Sequence, residues 1–383
     1  MSLTARRIEP VTILQRERSL RPDLVLLLAY GALAALGIVM VYSASAPRLE
    51  AFDQDPTSLV RRHTVFVIVG VVTFVATSMI SGRSLRTLSP VVYLGSLATL
   101  VAVLFAPAVA GVNRWIQIGP FQFQPSEFAK IAIILALALL LSTAHDALRL
   151  SHIARAVGLV AVPALLTFRQ PDLGTMLVFG FIAVVMLFVG GTTWRQFAFL
   201  VIGAVVLAVA VFQVGALRDY QLTRLTAFLD PASDLDATAL YNQRQSEIAI
   251  GSGGFLGKGL FEGTQTNLSY VPEQATDFIF TAVGEQLGFA GGALVIALYG
   301  LIVWRMLMAA ANGRDRFTRL VAAGVASLIV FHVFVNIGMT LRLMPVTGLP
   351  LPFLSAGGSA FIAMSAALGL GHSIWMRRSP VPE

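Results

Sequence analysis

The sequence predicts an all-α polytopic membrane protein, about ten transmembrane helices with one large extracytoplasmic loop between spans 7 and 8. Three observations carry that expectation. Apolar residues fill 56% of the 383 positions and charged residues only 12%, with a mean hydropathy of +0.79, against roughly 25% charged residues in a soluble domain. The apolar residues gather in runs long enough to cross about 30 Å of hydrocarbon as helices of about 20 residues. The basic residues are shared unequally between the connections, as the positive-inside rule requires.

The runs fall at 24–43, 64–80, 88–106, 126–143, 153–168, 173–190, 197–214, 288–310, 318–339 and 354–375. An even number of spans puts both termini on one side. That side carries Arg6, Arg7, Arg16, Arg18 and Arg21 at the start and Arg377 and Arg378 at the end, so it is read as cytoplasmic. The resulting organisation is a tail over 1–23, spans 1–7 over 24–214, the loop over 215–287, spans 8–10 over 288–375 and a tail over 376–383. Ala44-Ser45-Ala46 resembles a signal-peptide cleavage site, but the apolar run before it exceeds the 7–15 residues such peptides use, and it is kept as the first transmembrane helix. The net charge of +7 is explained by topology and by anionic lipid at the inner leaflet, so no nucleic-acid partner is expected. With no cysteine, disulfides and thiol chemistry are excluded.

The loop carries nine of the twenty acids. Leu240, Ile248 and Ile250 predict a short amphipathic helix around 238–250, ended by Gly251 in a left-handed cap. Pro272 fits a first helical turn with Glu273 near its positive end, and that helix is expected to run through Asp277 into membrane-facing Phe278, Ile279 and Phe280. Asp277 is the acid to watch, because a carboxylate at membrane depth is paired, wet or functional. The stretch from Gly251 to Gly259 is not a phosphate loop: Ser252 and Gly259 stand where that pattern needs Gly and Ser or Thr. It reads as a tight turn, with anion binding through Lys258 the weaker alternative.

Pro125 suits the first turn of span 4, and Glu127 and Lys130 follow three residues apart on one face. Either they neutralise each other at the helix start or they mark a wet cavity. Arg114-Trp115 reads equally as an interface anchor. Asp172, after Gln170-Pro171, is expected to cap a helix. The segment from Pro345 to Ser359 is too rich in Pro and Gly for regular helix, and such backbone is tolerated at membrane depth only inside protein or beside water. The five histidines show no zinc spacing, and His332 reads as a packed or hydrogen-bonded residue. Gly284, Gly288 and Gly292 suit either a helix-packing seam or internal packing.

Arg114-Trp115, Gln124-Pro125-Ser126-Glu127 with Lys130, Gln170 to Thr175, Gln245 to Gly254, Pro272-Glu273 with Thr276 to Phe280, and Pro345 to Ser359 together resemble the SEDS family (shape, elongation, division and sporulation), in its order and over nearly the whole chain. Gly257-Lys258-Gly259 and Gly263-Thr264-Gln265 look more like its elongation member than its division member. Ala275 is a departure, since relatives often carry His two residues before the acid. The resemblance implies a ten-span peptidoglycan glycosyltransferase that polymerises lipid II outside the membrane beside a class B penicillin-binding protein transpeptidase. Asp277 matches the family's essential acid, and Lys130, Glu127, Arg114 and Trp115 match positions of the same outer cavity.

A sugar on a diphosphate lipid already has a good leaving group, so inverting transfer needs one base and cations for the diphosphate, whereas a glycosidase needs two carboxylates. Asp277 is the expected base, with Lys130, Arg114 and Arg224 offsetting diphosphate charge. A divalent cation such as magnesium could share that task, although no ligand set in the sequence marks its site. A lipid II flippase or other transporter and a non-catalytic scaffold for the transpeptidase are the alternatives. The chain has no Ser-x-x-Lys with which to crosslink peptides itself.

Overall fold

In hydrocarbon every backbone N–H and C=O must find a partner within the protein, which leaves the helix as the form of each apolar run. The computed structural model describes residues 21–108, 111–119, 121–144, 148–215, 222 and 237–378. In order these form α1 (Leu24–Ala51), α2 (Ser58–Met79), α3 (Gly82–Leu104), β1 (Ile116–Ile118), β2 (Phe121–Phe123), α4 (Pro125–Ser142), α5 (Leu150–Arg169), α6 (Leu173–Val189), α7 (Trp194–Gln213), α8 (Ala237–Ser252), α9 (Thr264–Asn267), α10 (Ile279–Asn312), α11 (Arg316–Thr340) and α12 (Gly358–Met376). Among the described residues nine helices are long and apolar enough to cross a membrane, and α6, with 17 residues, is a shorter apolar helix. The all-α, ten-span architecture therefore stands, with a small antiparallel hairpin, Ile116 opposite Phe123, added before α4.

Several helix starts follow from single polar residues. Asp23 accepts from the Leu26 N–H, Asp172 from the Thr175 N–H, and Asp315 from the Thr318 N–H, each satisfying one of the donors a helix N-terminus leaves orphaned. Thr193 and Gln196 form a capping box at the start of α7. Helices α4, α11 and α12 are the inner ones, mostly buried by their neighbours. No described side chain of α7 is buried, which suits a rim helix whose apolar surface meets lipid. The α2–α12 contact is close because glycine removes side chains there: Gly70 lies under the Phe361 ring and Gly369 against the Phe74 carbonyl.

The long connection is ordered where it is described, and of the apolar residues the pattern singled out Ile250 packs against Gly284 and the core while Ile248 does not. Helix α8 forms, yet it docks through Gln243, Ser246 and Ala249, while Ile248 is half exposed. Ser246 donates to the Thr340 carbonyl (2.6 Å) and Gln243 to the Met344 carbonyl (2.9 Å), so side-chain hydrogen bonds to backbone select the face. Gly251 is helical, and the left-handed glycine is Gly254 (φ 58°).

The helix from Pro272 through Asp277 does not form. Residues 272–277 make turns, Glu273 takes a left-handed φ of 51°, and helix resumes only at Ile279. Phe278, Ile279 and Phe280 are buried in protein, at 2%, 0% and 5% exposure, rather than facing lipid. The apolar run over 288–310 thus understates its helix, which begins at Ile279 and breaks at Gly288 (φ 65°, ψ −162°).

The glycine-rich turn fills that break. Gly254 and Phe255 carbonyls accept from the Phe289 and Ala290 N–H groups (2.9 and 3.0 Å), while the Lys258 and Gly259 N–H groups donate to the Glu285 and Gln286 carbonyls (3.0 and 3.1 Å). Lys258 Nζ binds Glu285 (2.9 Å) and Thr264 (2.6 Å), so its charge is used within the fold. Gly284 meets Ile250 and Gly292 approaches Phe280, which makes this glycine series internal packing. A Cβ at Gly257 (φ 82°) would strike the Gln286 carbonyl, whereas Gly254 faces open space. Gly257→Ala is expected to lower unfolding stability in detergent by about 2–5 kcal/mol, from backbone strain plus overpacking. Gly254→Ala should lose only about 1–2 kcal/mol, from strain alone.

Candidate active site

At the end of the bundle where α2, α4 and α6 begin, a cavity of about 730 Å³ opens. Its walls include Arg62, His63 and Phe66 from α2, Arg114 and Trp115 before the hairpin, Glu127 from α4, Asp172 and Thr175 from α6, and Asp277. The roof is irregular backbone, Thr347 to Pro350 with Ala356 and Gly357, followed by the first residues of α12, Gly358 to Ala360. The Pro- and Gly-rich segment therefore does what such backbone must at membrane depth: Leu349 and Leu351 to Ser355 are buried in protein, and the rest borders a cavity.

Asp277 is held by its backbone. Its N–H donates to the Glu273 carbonyl (3.0 Å), and its own carbonyl accepts from Asn336 Nδ2 (2.8 Å). The same amide nitrogen donates to the Leu349 carbonyl (2.7 Å), tying the acid's segment to the roof. Two residues earlier, the Ala275 carbonyl accepts from the Ala356 N–H (2.8 Å). Gln274, buried, donates to the hydroxyls of Thr266 (3.1 Å) and Thr281 (2.9 Å). Thr266 in turn is fixed by the buried Glu285 carboxylate, which accepts from its N–H (3.0 Å) and its hydroxyl (2.8 Å). The Asp277 side chain is half-buried, with Oδ2 beside Gly348, whose φ of 72° needs glycine.

Glu127 and Lys130 form a buried pair, Nζ to Oε1 2.7 Å, at 3% and 0% exposure. Lys130 Nζ also lies 3.1 Å from His332 Nε2, and His332 Nδ1 lies 3.2 Å from the Pro350 carbonyl. A carbonyl only accepts, so Nδ1 carries the proton and Nε2 accepts from the ammonium. His332 is thus hydrogen-bonded at both nitrogens, as its sequence context indicates. Glu127 lines the cavity while Lys130 stands behind it, so the ammonium does not reach the cavity wall. The Glu127 Oε2 atom is buried with no hydrogen-bond partner.

Arg114 Nε donates to the Gln170 carbonyl (2.7 Å) and its Nη2 to the Pro171 carbonyl. Arg114 lines the cavity, and the turn before α6 sets its position. Asp172 spends both oxygens on Thr175, Oδ1 on the N–H and Oδ2 on the hydroxyl, which is the capping role its position predicts. Arg224 lies outside the described residues. The structure therefore brings Asp277, Glu127, Arg114 and Trp115 to one cavity, with Lys130 one layer behind.

Arg62 and His63 are the residues the sequence did not single out. The one signal in the sequence is a polar pair at the mouth of an apolar run. In the structure Arg62 also lines a second cavity of about 660 Å³, which adjoins the first along Leu59, Arg62, Glu273 and Thr276 and contains Arg48. Among the described residues no group of three or more His, Asp or Glu side chains is placed to hold a metal ion.

The buried pair has a measurable signature. Lys130→Met leaves Glu127 buried and uncompensated, and should lower stability by about 3–5 kcal/mol, whereas Lys130→Met with Glu127→Gln should recover much of the loss. Denaturant unfolding in detergent micelles, run as a double-mutant cycle, checks this.

Comparison with known proteins bears on the fold and the family. The family described as "Cell cycle protein" (FTSW_RODA_SPOVE) matches residues 23–379. The peptidoglycan glycosyltransferase MrdB of Escherichia coli K12 is 37% identical over 361 residues, covering 93% of this chain and 94% of its own. A chain of a solved peptidoglycan synthase complex superposes with a TM-score of 0.78 at 33% identity, covering 93% of this chain and 98% of its own. The rod shape determining protein RodA of Thermus thermophilus gives a TM-score of 0.70 at 31% identity, covering 94% and 98%. The SEDS motifs, with their likeness to the elongation member, are supported by these matches. With the ten-span bundle, the cavity and near-complete coverage in hand, the chain belongs to the FtsW, RodA and SpoVE family of cell cycle proteins.

Proposed function

We propose that this chain is a peptidoglycan glycosyltransferase that polymerises lipid II into glycan strands at the outer face of the cytoplasmic membrane during cell elongation. The observation that carries the reading is the half-buried Asp277 carboxylate in a cavity whose walls also bring Glu127, Asp172 and Glu273 and the guanidinium-bearing Arg114 and Arg62. A relative 37% identical over 361 residues bears the name peptidoglycan glycosyltransferase, which supports it.

Asp277 takes the proton of the acceptor sugar's 4-hydroxyl as that oxygen attacks the donor's anomeric carbon. The carbon–oxygen bond to the diphosphate breaks on the opposite side, so configuration inverts and the lipid diphosphate leaves without needing an acid. Arg114 and Arg62 stabilise the charge that develops on the diphosphate. Lys130 contributes through Glu127 rather than by contact. Two adjoining cavities suit a reaction that must hold two saccharides at once.

Orientation rests on the basic residues. Arg83, Arg86, Arg305, Arg316, Arg377 and Arg378 lie in or next to the helix ends opposite the cavity, which supports cytoplasmic termini and an extracytoplasmic site. The similar solved chain sits in a complex that coordinates polymerization and crosslinking. Together with the missing Ser-x-x-Lys, this supports a class B penicillin-binding protein as partner.

Purified protein in proteoliposomes with labelled lipid II tests the assignment. Asp277→Asn should fold as wild type and lose at least about 100-fold in glycan polymer formed. Undiminished polymer from that variant would remove the base role. Lipid II translocation by a wild type that makes no polymer would replace the enzyme with a transporter.

A further inference from the structure

His63 is buried at 1% exposure, and neither Nδ1 nor Nε2 has a hydrogen-bond partner. The contrast with the other histidines buried in the bundle is sharp: His332 is bonded at both nitrogens, and His372 is bonded to the Asp23 N–H and the Ser78 hydroxyl. Native buried polar groups are satisfied as a rule, so one that is not needs a reason. The reason suggested by position is that His63 lines the same cavity as Asp277. Its ring stands edge-on to Phe361, centroids 5.8 Å apart at 87°, which fixes the imidazole plane against the bundle. The Glu127 Oε2 atom, on the same cavity, is also without a partner. Two orphaned groups on one cavity, an acceptor and an imidazole able both to donate and to accept, match a neutral saccharide, whose hydroxyls and acetamido groups offer both roles.

We propose that His63 is a specificity-determining contact to the sugar, giving it one hydrogen bond from a ring N–H and accepting one at the other ring nitrogen. This rests on the glycosyltransferase reading for the identity of the ligand. It adds a residue that neither the charge pattern nor the capping logic of the fold uses, since no hydrogen bond within the protein depends on this side chain.

The test uses the full chain in detergent and measures binding of two probes, lipid II and undecaprenyl diphosphate, which lacks the sugar. His63→Phe keeps a ring of similar shape and removes both polar atoms. It should weaken lipid II binding by about three- to tenfold, leave undecaprenyl diphosphate binding unchanged, and leave the thermal midpoint unchanged or higher, because no native hydrogen bond is lost. His63→Asn, which restores a donor and an acceptor, should recover part of the lipid II affinity. Equal loss for both probes, a fall in thermal midpoint that tracks the loss of binding, or unchanged lipid II affinity in His63→Phe would each overturn the proposal. Because the readout is binding, absence of polymer from the wild type would count against the glycosyltransferase reading while still leaving the role of His63 decided by the two probes.

Discussion

A helix interrupted at membrane depth leaves backbone groups that neither lipid nor the helix itself can satisfy, and this chain meets that constraint at Gly288. The turn from Gly253 to Gly259 supplies the missing partners through four backbone hydrogen bonds, to the Glu285 and Gln286 carbonyls and from the Phe289 and Ala290 N–H groups. Once that plug is seated, residues 279–287 form a short helical segment packed inside the protein, and the turns before it set Asp277 at the cavity. The glycines are required because the two backbones approach too closely for side chains at Gly253, Gly257 and Gly288. The position of the proposed base thus depends on a contact between two segments that are not neighbours in the sequence.

The buried charges are settled by the same economy. Glu285, fully buried, is surrounded by Lys258, the Gln265 and Thr266 N–H groups and two threonine hydroxyls. Glu127 has Lys130, and Lys130 has His332. An ion pair in such surroundings contributes little net stability, but removing one partner is costly, so these groups specify one arrangement of the chain. At the opposite end Asp23 does similar work, accepting from Arg305 (2.7 Å) while its N–H donates to His372.

Hydropathy made the ten spans legible because burial in lipid acts on every residue of a run. Local rules also served: Pro125 at a helix start, Asp172 as a cap, and the glycine turn in place of a phosphate loop. What failed were expectations drawn from short apolar patterns near the membrane boundary. Ile248 suggested the docking face of α8, yet Ser246 and Gln243 dock it through hydrogen bonds to carbonyls that periodicity does not register. Phe278 to Phe280 read as membrane-facing because an apolar triplet looks alike whether it meets lipid or protein. At the site, acids and motif residues could be found from residue type, but the contributions of Asn336, Arg62 and His63 come from long-range placement.

Asn336 holds the Asp277 carbonyl and the Leu349 carbonyl with a single amide nitrogen. With the Ala356 N–H bonded to the Ala275 carbonyl as well, the carboxylate's stretch of chain and the roof above it are riveted together, and neither can swing away alone without breaking a bond. Any molecule entering the chamber consequently meets an acid and a roof that move together, while the exposed Arg48 and Arg62 border the adjoining second cavity, which Glu273 to Thr276 also line.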